Sequence, residues 1–287
     1  MDKIKYFLQF IIILILFFLF KILGLKYSTR FSGNLMTILG PMFRSNKIII
    51  SNLTIAFPKL SLLEKKILSK KMWFNYGRIL AEYMYIKYFR EKEKFSNLIT
   101  IENQKILEKI KKESKPVIFI SGHFNNFELM AMQIDKAGID LTTIYRPLNN
   151  IFLNPLMERI RKKYICKKQI KKGIAGTKEL LQNFKNGSSI ALMIDQRVTE
   201  GVMCEFFGQK ARTTTIPAQF VKKFNCKVVP INIERKQNSK FKLTVYNPIT
   251  FNDNDSIENI THNLNLWLEK IITNNPSKWI WSHDRWK

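Results

Sequence analysis

Apolar and polar positions along this chain fall into three successive patterns. The first is an almost unbroken apolar run, YFLQFIIILILFFLFKILGL, from Tyr6 to Leu25, interrupted by Gln9 and Lys21. At a rise of 1.5 Å per residue, about 20 residues reach across a hydrocarbon core of ~30 Å. Residues 1–25 are therefore expected to be an N-terminal membrane anchor helix, with Lys21 extending its charge toward the headgroups. No Ala-x-Ala-like site follows, which favours an uncleaved anchor over a signal peptide. A shallow interfacial helix is the other arrangement open to such a run. Lys3 and Lys5 lie on one side of it, and Lys26, Arg30 and a very basic remainder on the other. The positive-inside rule then places the remainder in the cytoplasm.

The second pattern has apolar residues three and four apart. Residues 60–89 read as one or two amphipathic helices, with Ser61 and Glu64 spaced as a capping box. Between the anchor and these helices, residues 31–60 read as a connector, turning at Gly40-Pro41 and breaking again at Pro58. ENQKILEKIKKES is a short helix that ends before Pro116.

From Pro116 onward the third pattern alternates. PVIFIS reads as a buried strand and NFELMAMQIDKAG as a helix. IDLTTIYRP is a strand and NPLMERIRKKY a helix. GTKELLQNFKNG is a helix, SSIALMID a strand and TTIPAQFVKKFN a helix. KVVPINIERKQNSKFKLTVYNPITF reads as a strand pair joined by a polar turn, and NITHNLNLWLEKIITNNP as the last helix. The fold class predicted is α/β: a mixed sheet flanked by helices, in one domain spanning 26–287 after the anchor. No internal repeat or low-complexity linker divides it.

Composition narrows the partners. Lys and Arg number 48 against 22 Asp and Glu, a net charge of +26. That excess points to an anionic partner: nucleic acid, anionic lipid headgroups or an acidic carrier protein. No nucleic-acid-binding signature accompanies the charge. The three cysteines, Cys166, Cys204 and Cys226, are widely spaced, which argues against a zinc site and a disulfide framework and fits a reducing compartment.

Candidate chemistry sits where the first buried strand gives way to a helix, in VIFISGHFNNFELMAM (117–132). Site residues of α/β folds collect at strand ends. Asn125 and Asn126 are good N-cap residues, so the helix is expected to begin near them with Glu128 in its first turn. From there the carboxylate can accept a hydrogen bond from one nitrogen of His123 and leave the other free as a general base. With three histidines and 22 acidic residues in the chain, such spacing arises by chance about one time in four. The weight therefore rests on its position. No serine nucleophile stands beside the pair, which suits chemistry in which the substrate supplies the attacking hydroxyl.

SGHFNNFELM resembles the HxxxxD/E motif of the lysophospholipid acyltransferase superfamily, in its HxxxxE form. Other blocks are similar to the lauroyl/myristoyl acyltransferases of bacterial lipid A (lipopolysaccharide) biosynthesis. These are SNLTIAFPKLS (51–61), IYRPLNN (144–150), MIDQRVTEGVMCEFFGQKARTTTIPAQF (193–220) and the ending WIWSHDRWK. The resemblance runs in order over essentially the whole chain. It implies that His123 is the general base on a 3-hydroxyl of an acyl chain of a (Kdo-)lipid A precursor, with Glu128 orienting it. It implies an acyl-acyl carrier protein as donor, an anionic glycolipid as acceptor, and the inner membrane as the location. No cofactor and no metal are implied. Arg146, Arg159 and Arg161 are candidates for the oxyanion or for lipid phosphate. Asp195 and Gln196 are expected to line the same cleft. Phe206-Phe207-Gly208 is expected to be packing, and His283 structural. A lysophospholipid or other glycolipid acceptor is the nearest alternative. A membrane-tethered basic binding protein without enzymatic activity is the alternative of another class.

Overall fold

The computed structural model describes residues 2–287; Met1, part of the expected anchor, lies outside them. The chain begins with α1 (Asp2–Phe43), α2 (Asn46–Ala56), α3 (Leu62–Tyr83), α4 (Ile86–Glu91) and α5 (Glu93–Ser96). Then come β1 (Ile99–Glu102), α6 (Gln104–Glu113), β2 (Ile118–Ser121), α7 (Glu128–Lys136), β3 (Leu141–Tyr145) and α8 (Leu153–Ile160). A π-helical turn, Arg161–Ile165, leads to β4 (Lys168–Lys171), α9 (Ile174–Lys185) and β5 (Ser189–Met193). The chain continues through β6 (Val202–Phe206), β7 (Gln209–Thr213), α10 (Ile216–Phe224), β8 (Val228–Arg235), β9 (Phe241–Val245) and α11 (Ile257–Asn274).

Seven strands form one sheet in the order β1-β9-β8-β2-β5-β3-β4. Its pairings are parallel except β8 with β9. The sheet is thus mixed and flanked by helices, as the alternation predicts. β2 lies centrally and is apolar on both faces because both are covered. Ile118 and Ile120 pack with Leu180, Phe220 and Leu264, from α9, α10 and α11. Val117 and Phe119 pack with Leu107 and Leu129, from α6 and α7, on the other face.

Residues 31–60 are not the expected connector, although the expected break at Pro58 does fall between α2 and α3. α1 runs through Gly40-Pro41 to Phe43, and α2 follows directly. Packing of α1 on α3 outweighs the local turn signal. A Cβ at Gly77 would lie 2.3 Å from the Ser32 carbonyl oxygen, so only glycine lets the two helices approach this closely. Ser32 Oγ donates to the Gly77 carbonyl at 2.6 Å across the same contact. The break in α1 comes instead at Gly24, whose φ of 72° lies in the region that favours glycine. The Ser61–Glu64 capping box forms as predicted.

Residues 2–23 lie along the domain. Near one end, Asn150 Nδ2 donates to the Tyr6 carbonyl at 2.8 Å, and Phe7 meets Phe152 at 5.5 Å between ring centroids. Near the other, Phe17 and Phe20 pack against Ala81, and the Tyr85 hydroxyl donates to the Phe20 carbonyl. Leu8, Ile12, Ile15, Phe18 and Ile22 are exposed on the opposite side. Their spacing of three and four makes one continuous apolar stripe.

Candidate active site

The sheet register builds the site. β2 and β5 are parallel neighbours, with Ser121 opposite Met193. His123 and Asp195 each lie two residues beyond those partners, so the two strand ends deliver them to the same place. Asp195 Oδ1 lies 2.7 Å from His123 Nδ1, and Asp195 Oδ2 accepts the His123 backbone N–H at 2.9 Å. Oδ2 also accepts from Trp279 Nε1 at 2.8 Å. Asp195 is buried. Burial alone would raise its pKa, but the His123 charge and these hydrogen bonds win and hold it at about 2. An ionised carboxylate accepts, so Nδ1 of His123 carries the proton. Its Nε2 lone pair remains for a substrate proton. The imidazole keeps 19% of its side-chain surface exposed and packs edge-on to Phe127 at 4.8 Å. Burial lowers its pKa, but the charges of Asp195 and Glu128 outweigh that and raise it overall.

The turn carrying His123 is fixed on two sides. Asn125 has a left-handed backbone, φ 44°. Its Nδ2 donates to the Ile233 carbonyl at 2.7 Å and its Oδ1 accepts from Arg235 Nη1 at 3.3 Å. Arg235 is forked onto Glu82 at 2.6 and 2.7 Å, and both side chains are buried. On the other side Asn125 N–H donates to the Lys278 carbonyl at 3.3 Å, and Phe124 bridges to Trp279.

Two expectations for this turn need correction. Asn125 and Asn126 do not cap the helix: they belong to the turn, and α7 begins just beyond them at Glu128, after Phe127, placing that carboxylate in its first turn as expected. Nor does Glu128 hold the histidine. Its Oε1 accepts from Arg161 Nε at 2.9 Å, Arg161 Nη2 at 2.7 Å and Tyr83 Oη at 3.2 Å. A helix fixes the direction of its first-turn side chains, and here Glu128 is aimed at the π-helical turn that carries Arg161. Arg161 also lies over the Tyr145 ring at 5.5 Å. Burial lowers the Arg161 pKa, but the Glu128 charge outweighs it and raises it overall.

His123, Asp195, Glu128 and Arg161 therefore share one region. Arg146 and Arg159 are exposed, and Gln196 is half-buried. The backbone next to Gln196 is engaged, since Arg197 N–H donates to His283 Nε2 at 2.9 Å. Burial pushes the His283 pKa down, in keeping with a neutral ring that accepts. Phe206 packs on Trp279 and Trp286 as expected, and Phe207-Gly208 turn β6 into β7. Two partners were not expected, Trp279 on Asp195 and Tyr83 on Glu128. Trp279 does fall in the quoted WIWSHDRWK ending; Tyr83 carried no signal beyond helical spacing. Among the described residues no group of three or more His, Cys, Asp or Glu is placed to hold a metal ion.

A base held by a buried carboxylate, with no nucleophile of its own alongside, can deprotonate a substrate hydroxyl. Comparison with known proteins gives a concordant result. The sequence profile described as bacterial lipid A biosynthesis acyltransferase matches residues 1–287. The lipid A biosynthesis lauroyltransferase of Escherichia coli (strain K12) is 23% identical over 256 residues, covering 86% of this chain and 80% of that protein. Among solved structures, the 1-acyl-sn-glycerophosphate acyltransferase PlsC from Thermotoga maritima aligns with a TM-score of 0.40 and 14% identity, covering 86% of this chain and 98% of that one.

Proposed function

Since this chain belongs to the bacterial lipid A biosynthesis acyltransferase family, we propose that it transfers a fatty acyl group from acyl-acyl carrier protein to the 3-hydroxyl of an acyl chain on a (Kdo-)lipid A precursor. The observation that carries this reading is the double hold of Asp195 on His123, which leaves Nε2 as a base. His123 Nε2 takes the proton as the acceptor oxygen forms its bond to the thioester carbonyl carbon. The tetrahedral oxyanion then collapses, the C–S bond breaks, and His123 returns the proton to the departing thiolate. Asp195 orients the imidazole and offsets the charge it gains. Glu128 acts by holding Arg161, whose positive charge lies close enough to act on His123 and favours the developing oxyanion. His123 is the general base in this scheme. Asp195 replaces Glu128 as the residue that positions it.

The charge of +26 suits both an acidic carrier protein and a phosphorylated glycolipid. The exposed stripe of residues 2–23 is the membrane contact. Because that segment is docked on the domain near both ends, a full crossing would drag exposed Lys87 and Arg146 toward the hydrocarbon. The segment therefore lies in one leaflet, on the cytoplasmic face of the inner membrane, with the domain beside it.

The decisive assay supplies membranes carrying the protein with acyl-acyl carrier protein donors and a tetra-acylated precursor, with and without Kdo, and reads products by mass spectrometry. A new acyl ester that is lost in His123→Ala supports the reading. A product that survives that substitution overturns the mechanism. Acylation of lysophospholipids alone overturns the acceptor.

A further inference from the structure

Positive charge collects around a single carboxylate between α3 and the segment after α11. Lys71, Arg78 and Arg235 all act electrostatically on Lys278. The carboxylate that acts on both Arg78 and Lys278 is Glu82, and both of its oxygens are engaged by Arg235. The buried Nε of Arg78 has no hydrogen-bond partner, and its guanidinium lies over the Phe74 ring at 5.9 Å. Burial, then the neighbouring cations, pushes the Lys278 ammonium down to about 8 and Arg78 down to about 10. Four cations around one carboxylate already in use are held there against their mutual repulsion.

A cavity of about 370 Å³ opens at the Lys71–Lys278 edge of this cluster, lined by Asn34, Thr37, Lys70, Lys71, Phe74 and Lys278 among others, with Arg78 and Arg235 outside its lining. It adjoins the catalytic turn: Lys278 accepts from Asn125 N–H, and the next residue, Trp279, donates to Asp195. One wall, Asn34 and Thr37, belongs to the second part of α1. The outer side of that part exposes Tyr27, Phe31, Ile38 and Met42.

We propose that this cavity binds a phosphate monoester on the headgroup of the acceptor lipid. A carboxylate would offset one charge, whereas a phosphate carries nearly two at neutral pH and offers three acceptor oxygens to several donors. A lipid is the source because the cavity opens beside an apolar helix face and one turn away from the base. The inference rests on the acyl-transfer reading for its substrate, but the site itself is tested without it.

Two measurements decide it. In the transfer assay, a phosphorylated acceptor is compared with the same acceptor after phosphatase treatment, using wild type, Lys278→Gln and Lys278→Arg. Lys278→Gln raises KM for the phosphorylated acceptor about tenfold more than KM for the dephosphorylated one, and Lys278→Arg rescues the difference. Equal effects on both acceptors, or on neither, overturn the proposal. Separately, purified full-length protein is heated with inorganic phosphate against chloride at matched ionic strength. Saturable stabilisation that Lys278→Gln removes supports the site even if no acyl transfer is found; no stabilisation overturns it. Dispersed phosphorylated glycolipid should stabilise at far lower concentration than inorganic phosphate. Equal potency would assign the cavity to free phosphate and overturn the lipid source.

Discussion

Asp195 grips His123 through both carboxylate oxygens, one on the ring at 2.7 Å and one on the backbone N–H at 2.9 Å. The backbone bond keeps the carboxylate beside the ring, so rotating the ring away costs the Nδ1–Oδ1 bond, and Nε2 is aimed from the ends of β2 and β5. Replacement of Asp195 by Asn should keep the fold and lower kcat by about 10²–10⁴-fold with little change in KM. Steady-state acyl transfer measures both. A KM effect with kcat intact would remove Asp195 from the mechanism.

The pH dependence has a defined sign. The base works only when neutral, and the pKa of His123 is raised above 6.5 by Asp195 and Glu128 despite burial. Activity should therefore climb with pH, with its midpoint above 6.5, and level off once the imidazole has lost its proton. In Asp195→Asn the burial effect is no longer offset by the Asp195 charge, so the midpoint should move to lower pH while the plateau falls. A pH-rate profile of kcat/KM on both proteins tests this.

Glu128 is predicted to matter for stability as well as rate. Glu128→Gln leaves Arg161 largely buried beside a neutral amide, which should cost on the order of 3 kcal/mol. Adding Arg161→Met should restore much of that stability without restoring activity. Denaturant unfolding of the single and double variants separates the two effects.

His123 and its strand-to-helix setting were legible because β2 is a short apolar run stopped by Ser-Gly. Asp195 was expected in the same cleft, but its hold on His123 was not, because the two meet only through the register of β2 with β5, and pairing of parallel strands leaves no local trace. Glu128, five residues away, is closer in sequence but is directed elsewhere by the helix it starts. The α1–α3 contact was hidden for a similar reason. Gly40-Pro41 is a sound turn signal, and the glycines that allow close packing look the same in sequence as glycines that end helices.

That contact gives a further test. Gly77→Ala places a methyl group against the Ser32 carbonyl oxygen, 2.3 Å away before any relaxation. A loss of about 1–3 kcal/mol is expected, read as a lower thermal midpoint in detergent.

The position of residues 2–23 is checked by labelling with a membrane-impermeant thiol reagent. Lys5→Cys and Lys26→Cys should both react from the side on which Lys185→Cys reacts. Reaction of Lys5→Cys only from the opposite side would show that the helix crosses the bilayer.

The hold of Trp279 on Asp195 and of Lys278 on Asn125 also bears on timing. Synthesis reaches residues 278–279 long after His123 and Asp195. Until those two arrive, Asp195 lacks one of its donors and the histidine turn lacks one of its two supports. The base is thus completed only when residues 278–279 have folded back over the sheet, however early the segments before them have folded.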